Sequence, residues 1–472
     1  MIKRIFSYDD QLVFAKITGD YNPVHLDKVF ARRLLFGRVV VHGVHALLWG
    51  LDVWLEKQKQ TLRISALKAK FLRGIGIDED CFCSWNESEN KIEITVMSSE
   101  TVAIRVTLQF EPTLRESVEV HAGFPKREHC ANHTTEDALK ASGKVKLYLH
   151  RDLVKECFPN VFRILPSSQV AVILATTRVV GMKCPGLHSI FSALEISFNN
   201  KKDKSQYLKY EVSRFDDRFS LFSIKVKGPD MMGTVKAFAR PAPESQESFA
   251  VISEKIQPKE FEGIKAIVIG GSRGIGEVTA KILAAGGAKV CITYSSGVDD
   301  ARQTAQEINV GGGCVEYVHF DVLSDPRDME SELRFWIDAD QLYYFATPFI
   351  GAAVKKTFSE QLFEKYCSYY VTGFNNTVYA ILKAERTSRK IFYPSSIFVD
   401  TFPLNMGEYA AAKAAGEILC TFLEKANSGL VVYKPRLPML STDQTAALAP
   451  KSSEDPLPIM IEHIRKLRDG RY

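Results

Sequence analysis

Between Gly263 and Tyr294 the chain has little choice of fold. The apolar run Ala266–Ile269 stops at Gly270, the turn Gly270-Gly271-Ser272-Arg273-Gly274-Ile275-Gly276 leads into a helix-compatible stretch, and Val290–Thr293 turns apolar again. Short apolar runs bounded by glycine read as buried strands of the kind parallel sheets use. A strand, a glycine turn, a helix and a second strand then follow in order. Gly270, Gly274 and Gly276 let backbone N–H groups and the positive end of the helix converge on one spot, a cradle for a pyrophosphate. Residues 261–472 are therefore expected to form an α/β domain with a doubly wound parallel sheet.

The 472 residues are too many for one core. The stretch RPAPESQESFAVISEKIQPKE, polar and rich in proline, reads as a linker over 241–260. Upstream the pattern differs. VHALLWGLDVWLEKQ is free of proline and apolar on most sides, which predicts a buried helix starting near Gly43. LRISALKAKF, KIEITVMS and VAIRVTLQFEP alternate as antiparallel strands do. A long helix wrapped by such a sheet is the hot-dog architecture, assigned to residues 1–112. The string Ser65-Ala66-Leu67-x-x-x-Phe71 recurs as Ser192-Ala193-Leu194-x-x-x-Phe198, again after an apolar helix-like segment (SSQVAVILATTRVVGM) and before alternating runs. Residues 143–240 are thus read as a second hot-dog unit, and 113–142 as a linker. The pair would close as a pseudo-dimer and cover edges that a single unit leaves open.

Asp20-Tyr21-Asn22-Pro23-Val24-His25 carries the chemistry of the first unit. Pro23 keeps Asn22 extended and breaks a helix entering the turn, so Asp20 and His25 flank a tight turn. A carboxylate and an imidazole that share one water make a general acid/base device. Residues 9–16 read as a short helix before it, capped by Asp9 or Asp10, and His45 reads as a packed helix histidine. The second unit has no such pair. Tyr148, His150 and Arg151 stand in the corresponding region, and His188 reads as structural, so the second half is expected to be degenerate.

Several function classes are excluded. A net charge of +5 without a basic run gives no nucleic-acid footprint. No run of apolar residues is long enough to span a membrane, and MIKRIFSYDDQ lacks the apolar stretch and small-residue cleavage site expected of a signal peptide. Nine scattered cysteines predict reduced thiols and a cytoplasmic location. Cys81 and Cys83 read as strand packing. His121, His129, Cys130 and His133 fit no standard metal spacing, so no metal is expected.

Residues 1–112 resemble MaoC-like, (R)-specific enoyl-thioester hydratases. The family signature Thr-Gly-Asp-x-Asn-Pro-x-His-x-Asp stands here from Thr18 to Asp27, and its His-Gly at the start of the helix is His42-Gly43. The resemblance implies that Asp20 and His25 hold the water added or removed. It also implies that the Gly43 N–H stabilises a thioester oxyanion and that Asn22 supports the pair. Gly74 stands where the family often has proline.

Residues from 262 to about 445 resemble short-chain dehydrogenases/reductases of the 3-oxoacyl-thioester reductase type, with a Rossmann fold. The resemblance places the cofactor on Gly270, Ser272, Arg273, Gly274, Ile275 and Gly276, and its adenine at Asp321 and Val322. The second strand ends Tyr294-Ser295-Ser296 without a carboxylate, which with Arg273 points to NADPH. Tyr409-x-x-x-Lys413 puts both groups on one helix face, where the ammonium is expected to lower the phenol's pKa and the lysine to hold the nicotinamide ribose. Ser396, thirteen positions before Tyr409, is expected to bind the substrate carbonyl in preference to Ser395. Three departures stand out: Ala346-Thr347-Pro348 after the fourth strand, Tyr370 where the family has asparagine, and Lys434-Pro435-Arg436-Leu437-Pro438 after the sixth. With no clear seventh strand, a homodimer through this domain is expected in place of a tetramer.

The fold expected overall is an α+β double hot-dog followed by an α/β Rossmann domain. The activity implied is NADPH-dependent reduction of a 3-oxoacyl thioester to the (3R)-hydroxy compound, then dehydration to the trans-2-enoyl thioester. The acyl carrier is coenzyme A or an acyl carrier protein, in fatty-acid or polyketide-like biosynthesis. The alternatives are the reverse, oxidative direction, and a dehydratase joined to a non-catalytic nucleotide-binding module.

Overall fold

The computed structural model describes residues 1–34, 36–113, 120–199, 205–350, 357–383, 388–445 and 453–471. The described residues divide into two compact units, Met1–Ala242 and those from Pro243 on.

The first unit is built on one ten-stranded sheet. Its strands are β1 (Ile2–Ile5), β2 (Leu62–Phe71), β3 (Asp80–Ser88), β4 (Lys91–Ser98), β5 (Thr101–Pro112), β6 (Ser142–Lys146), β7 (Ser189–Phe198), β8 (Tyr207–Asp216), β9 (Leu221–Gly228) and β10 (Met231–Ala239). Their spatial order is β1-β3-β4-β5-β2-β7-β10-β9-β8-β6. The two halves join edge to edge through antiparallel β2 and β7, the segments that carry the sequence repeat. Lys68 pairs with Glu195, an offset of 127 (195 − 68), which is also the offset of the repeat (194 − 67). A pseudo-twofold axis therefore passes between these two residues. The central pairing removes the open edge each half would otherwise present.

The helices Gly43–Leu55 and Ser167–Arg178 lie against this sheet, buried on nearly every side. A single apolar core runs through both halves, from Phe6 and Trp54 to Phe222 and Val235. Of the stretch expected to be a linker over 113–142, residues 114–119 lie outside the described ones, and the rest is only partly a linker. It contains the helix Thr135–Leu139, Ala138 joins the core, and Asn132 bridges to Gly186. Polar composition hid a segment whose few apolar residues pack inward. Strand β1 was also not legible, because its residues are mostly exposed and show no alternation.

The second unit holds a six-stranded parallel sheet. Its strands β11 (Lys265–Ile269), β12 (Lys289–Tyr294), β13 (Cys314–His319), β14 (Gln341–Tyr344), β15 (Arg389–Phe392) and β17 (Leu430–Tyr433) lie in the order β13-β12-β11-β14-β15-β17. A two-stranded parallel pair, β16 (Ser395–Ser396) and β18 (Arg436–Leu437), follows the ends of β15 and β17. Two apolar cores cover the two faces, the arrangement a parallel sheet requires. Part of the expected 241–260 linker belongs to this unit: Phe249, Ile252 and Ile256 are buried in its core at helical spacing. The helix Pro456–Asp469 packs on the same side through Leu457, Met460, Ile464 and Leu467. Among the described residues no helix is long and apolar enough to cross a membrane.

Candidate active sites

The first site is assembled by a chain of caps. Ser7, rather than Asp9 or Asp10, caps the helix Tyr8–Thr18, and Asp10 closes a capping box with it. Gly19 ends that helix at φ +74°, a conformation an L side chain rarely adopts, and turns the chain into Asp20. Asn22 caps a further short helix, Pro23–Leu26, by accepting from the Val24 N–H at 3.1 Å. Pro23 thus occupies the first helical position, where a missing N–H costs nothing. As expected, no helix runs into Pro23 and Asn22 is kept out of helical geometry at φ −58°, ψ 127°; Pro23 in addition starts a helix, and His25 rides on it. Asp27, the last residue of the signature, caps the next short helix through Val29 and Phe30.

Asp20 is 1% exposed. Its Oδ1 accepts from the Asn22 N–H at 3.2 Å and its Oδ2 from the Thr177 hydroxyl at 2.6 Å. Burial raises its pKa to about 6, opposed by the Thr177 hydroxyl, the Asn22 N–H and the charge of Arg178. The partly buried His25 has its Nδ1 2.7 Å from the Val40 carbonyl, so Nδ1 carries the hydrogen and Nε2 keeps a lone pair. Burial lowers its pKa to about 4. Near neutral pH the site therefore pairs a neutral imidazole with a carboxyl group titrating close by. Such opposed environments separate the acid from the base.

His42 is the residue that spacing alone undervalued. Its ring stacks on His25 with centroids 3.7 Å apart. Its Nε2 donates to the backbone carbonyl of Asp20 at 3.1 Å, and its backbone N–H donates to Gln11 Oε1. It caps the Gly43–Leu55 helix, so Gly43 is the first residue with helical geometry and its N–H has no acceptor within the helix. The His-Gly pair before an apolar helix was the sequence feature that marked this place. Asp20, His25 and His42 bring ligand-capable atoms within 4.8 Å of one another. His42 Nε2 donates to the Asp20 carbonyl, so that nitrogen offers no lone pair to a cation, and Nδ1 lies 3.0 Å from Gln11 Oε1. His45 stacks on Phe14 at 4.5 Å and is packed, as expected. Of the four residues from 121 to 133 that fit no metal spacing, His133 faces the Lys183 carbonyl and Cys130 faces Met182.

The second site lies at the C-terminal ends of β11 to β15. Gly270 follows β11, its N–H bonded to Thr293 Oγ1 at 3.0 Å, and the helix Gly274–Ala285 starts four residues later. A side chain on Gly276 would place its Cβ 2.3 Å from the Gly270 carbonyl oxygen, so the turn can close only around glycine. With Ser272 buried and Ile275 partly buried, backbone N–H groups line the turn, which fits an anionic pyrophosphate. Tyr294 ends β12, and Ser295 and Ser296 are exposed beyond it. Asp321 and Val322 follow β13, and Asp321 Oδ1 accepts from the Leu323 N–H at 3.0 Å. Arg273, expected to read a 2′-phosphate, is ion-paired with the buried carboxylate of Asp443.

Ser395 and Ser396 have separate partners. Ser395 donates to Glu417, while Ser396 shares a hydrogen bond with the Tyr409 phenol and accepts from the Phe398 N–H. Lys413, one turn on from Tyr409, is buried; its Nζ donates to the Pro394 carbonyl at 2.6 Å and sits 4.0 Å from the centre of the Tyr370 ring. Tyr370 lies on a π-helical turn, Ser368–Gly373, and its hydroxyl meets Thr347 Oγ1 at 2.6 Å. Two of the three departures from the family pattern thus touch each other. The expected lowering of the phenol's pKa is corrected: burial raises Tyr409 to about 12 and lowers Lys413 to about 7. The physical reason is an aromatic enclosure, with Tyr366 and Tyr370 edge-on to Tyr409 at 5.7 and 5.6 Å and the ammonium turned to a ring face and a carbonyl.

Two family models match the chain: a MaoC like domain over residues 3–107, and a short chain dehydrogenase over 265–450. A 3-hydroxybutyryl-CoA dehydratase from Methylorubrum extorquens is 44% identical over 45 residues, 10% of this chain and 29% of that enzyme. The chain therefore spans less than a third of that relative's length. Among solved structures, a short chain dehydrogenase from Burkholderia cenocepacia in complex with NADP is 22% identical, covering 44% of this chain and 91% of that one, with a TM-score of 0.40. The angucycline C-6 ketoreductase LanV with bound NADP is 19% identical, covering 46% and 93%, with a TM-score of 0.41.

Proposed function

We propose that this chain, a MaoC-like domain followed by a short-chain dehydrogenase domain, is a bifunctional ketoreductase–dehydratase of acyl thioesters. The observation that carries the reading is the presence in one chain of two complementary proton devices. Asp20 and His25 suit loss or gain of water, and Ser396 and Tyr409 suit protonation of a carbonyl oxygen.

In the second unit NADPH would supply a hydride. Gly270–Gly276 and the helix start would hold its pyrophosphate, Arg273, Ser295 and Ser296 its 2′-phosphate, Asp321 and Val322 its adenine, and Lys413 its ribose. The lack of a carboxylate at 294–296 supports NADPH over NADH. Ser396 donates a hydrogen bond to the C3 carbonyl, and Tyr409 gives the oxygen its proton. In the first unit His25 Nε2 takes the C2 proton, and protonated Asp20 gives a proton to the C3 hydroxyl, which leaves as water. The Gly43 N–H, at a helix start, stabilises the thioester oxyanion between those events.

Coenzyme A is the carrier to test first, because the Methylorubrum relative is named for a coenzyme A substrate. The purified chain is incubated with acetoacetyl-CoA and NADPH, and products are followed by mass. Wild type is expected to give the enoyl thioester, Asp20→Asn to stop at the 3-hydroxy compound, and Tyr409→Phe to leave the 3-oxo substrate unchanged. Equal accumulation of hydroxy product in wild type and Asp20→Asn sinks the dehydratase assignment. The packing of Lys413 against Tyr370 favours one second reading, a nucleotide-binding module without turnover. Wild type as inactive as Tyr409→Phe in the reductive step supports it.

A further inference from the structure

We propose that the second repeat, which lacks a catalytic pair, serves as the positioning half of the first repeat's site, with Thr177 holding the Asp20 carboxylate. The inference rests on the dehydratase reading of Asp20 and His25.

Residues 20 to 22 are each met by a residue of 177 to 182. The Thr177 hydroxyl donates to Asp20 Oδ2 at 2.6 Å. The Tyr21 N–H points to Met182 Sδ at 3.2 Å, and Asn22 Nδ2 donates to the Gly181 carbonyl at 3.0 Å. Thr177 is 4% exposed and Asp20 1%, so water competes little for the bond. A helical threonine ordinarily turns its hydroxyl back to its own helix. Thr176 does so, donating to Ile173 at 2.7 Å, whereas Thr177 gives its hydrogen to the other repeat.

The backbone is shaped for the same contact. After Arg178 the helix widens into the π-helical turn Val179–Lys183, a feature that recurs at functional sites. Gly181 of that turn passes so close that a Cβ on it would lie 2.3 Å from Asp20 Oδ1. With Oδ1 bonded to the Asn22 N–H and Oδ2 to Thr177, the carboxyl plane is fixed, and a ring nitrogen of His25 lies within 4.8 Å of it. A fixed orientation is what proton transfer to a bound hydroxyl needs. The other charged or titratable groups bearing on Asp20 are Arg178 beside Thr177, Cys130 from the preceding segment, and His25 and His42 of the first repeat.

The test uses the full chain with Thr177→Val and Thr177→Ser. Dehydration of 3-hydroxybutyryl-CoA is measured from about pH 5 to about pH 9, across the range where the carboxyl group titrates. In parallel, Asp20 is titrated by carbon NMR of aspartate-labelled protein, its signal assigned by its loss in Asp20→Asn. Thr177→Val is expected to lower kcat about 10- to 100-fold, the worth of one hydrogen bond to a charged group, with KM little changed. It should also raise the Asp20 midpoint and the alkaline limb of kcat together by about one pH unit, and Thr177→Ser should restore both. An unmoved Asp20 midpoint in Thr177→Val overturns the inference, as does a loss of kcat that serine does not repair. A wild type that dehydrates nothing overturns the dehydratase reading instead, and the NMR midpoints still decide whether Thr177 governs Asp20.

Discussion

Replacing Asn22 by alanine separates the two jobs of one side chain. Asn22 is 1% exposed. Its Oδ1 caps the Pro23–Leu26 helix through the Val24 N–H, and its Nδ2 donates to the Gly181 and Gly186 carbonyls at 3.0 and 3.1 Å. Loss of an N-cap costs about 1 kcal/mol. The Gly186 carbonyl also accepts from the Ser189 N–H, so its loss is small, whereas a buried Gly181 carbonyl left without its donor costs about 1–3 kcal/mol. Asn22→Ala should therefore destabilise the first unit by about 2–4 kcal/mol, and Asn22→Ser, which retains a capping oxygen, by about 1 kcal/mol less. Urea unfolding followed by tryptophan fluorescence reads this unit, because Trp49, Trp54 and Trp85 lie in it and Trp336 alone lies in the other. With a slope of about 2–3 kcal/mol per molar, the alanine midpoint should fall by about 1 M. A fall below about 0.2 M, or equal falls for alanine and serine, refutes the division between cap and bridge.

Two further outcomes are expected in the second unit. Burial lowers Lys413 to about 7, so between there and the ordinary lysine range the folded state binds fewer protons than the unfolded one, and stability must rise with pH. Thermal unfolding of that unit should show the rise in wild type, at most about 1.4 kcal/mol per pH unit, and a flatter profile in Lys413→Met; parallel profiles refute it. Arg273→Gln should raise the KM for NADPH about tenfold and leave that for NADH unchanged, since a charge-assisted bond to the 2′-phosphate is what arginine would add. Equal changes for both cofactors would show that its bond to Asp443 is its whole role.

Much of this protein was legible because its information is local. The Thr18–Asp27 signature, the Gly270–Gly276 turn and Tyr409 with Lys413 each depend on residues within one turn or one helix face, so spacing fixes their geometry. Strands β2 and β4 run over the residues that alternation marked, because one face of each is buried and the other is not. The two copies of the repeat are the paired strands at the pseudo-twofold axis.

Only the tertiary structure decided what surrounds those motifs. Thr177 and Gly181 reach Asp20 from 157 and 161 positions away (177 − 20, 181 − 20), and Asp443 reaches Arg273 from 170. Nothing in local spacing links such segments; the pairing of β2 with β7 and the packing of two helices do so in the first unit. The protonation behaviour was likewise invisible, since it follows from burial. Desolvation moves Asp20 up and His25 and Lys413 down, and sets Tyr409 against the direction that its spacing from Lys413 suggested. Sequence named the groups that can move protons, and the enclosing fold set which of them hold one.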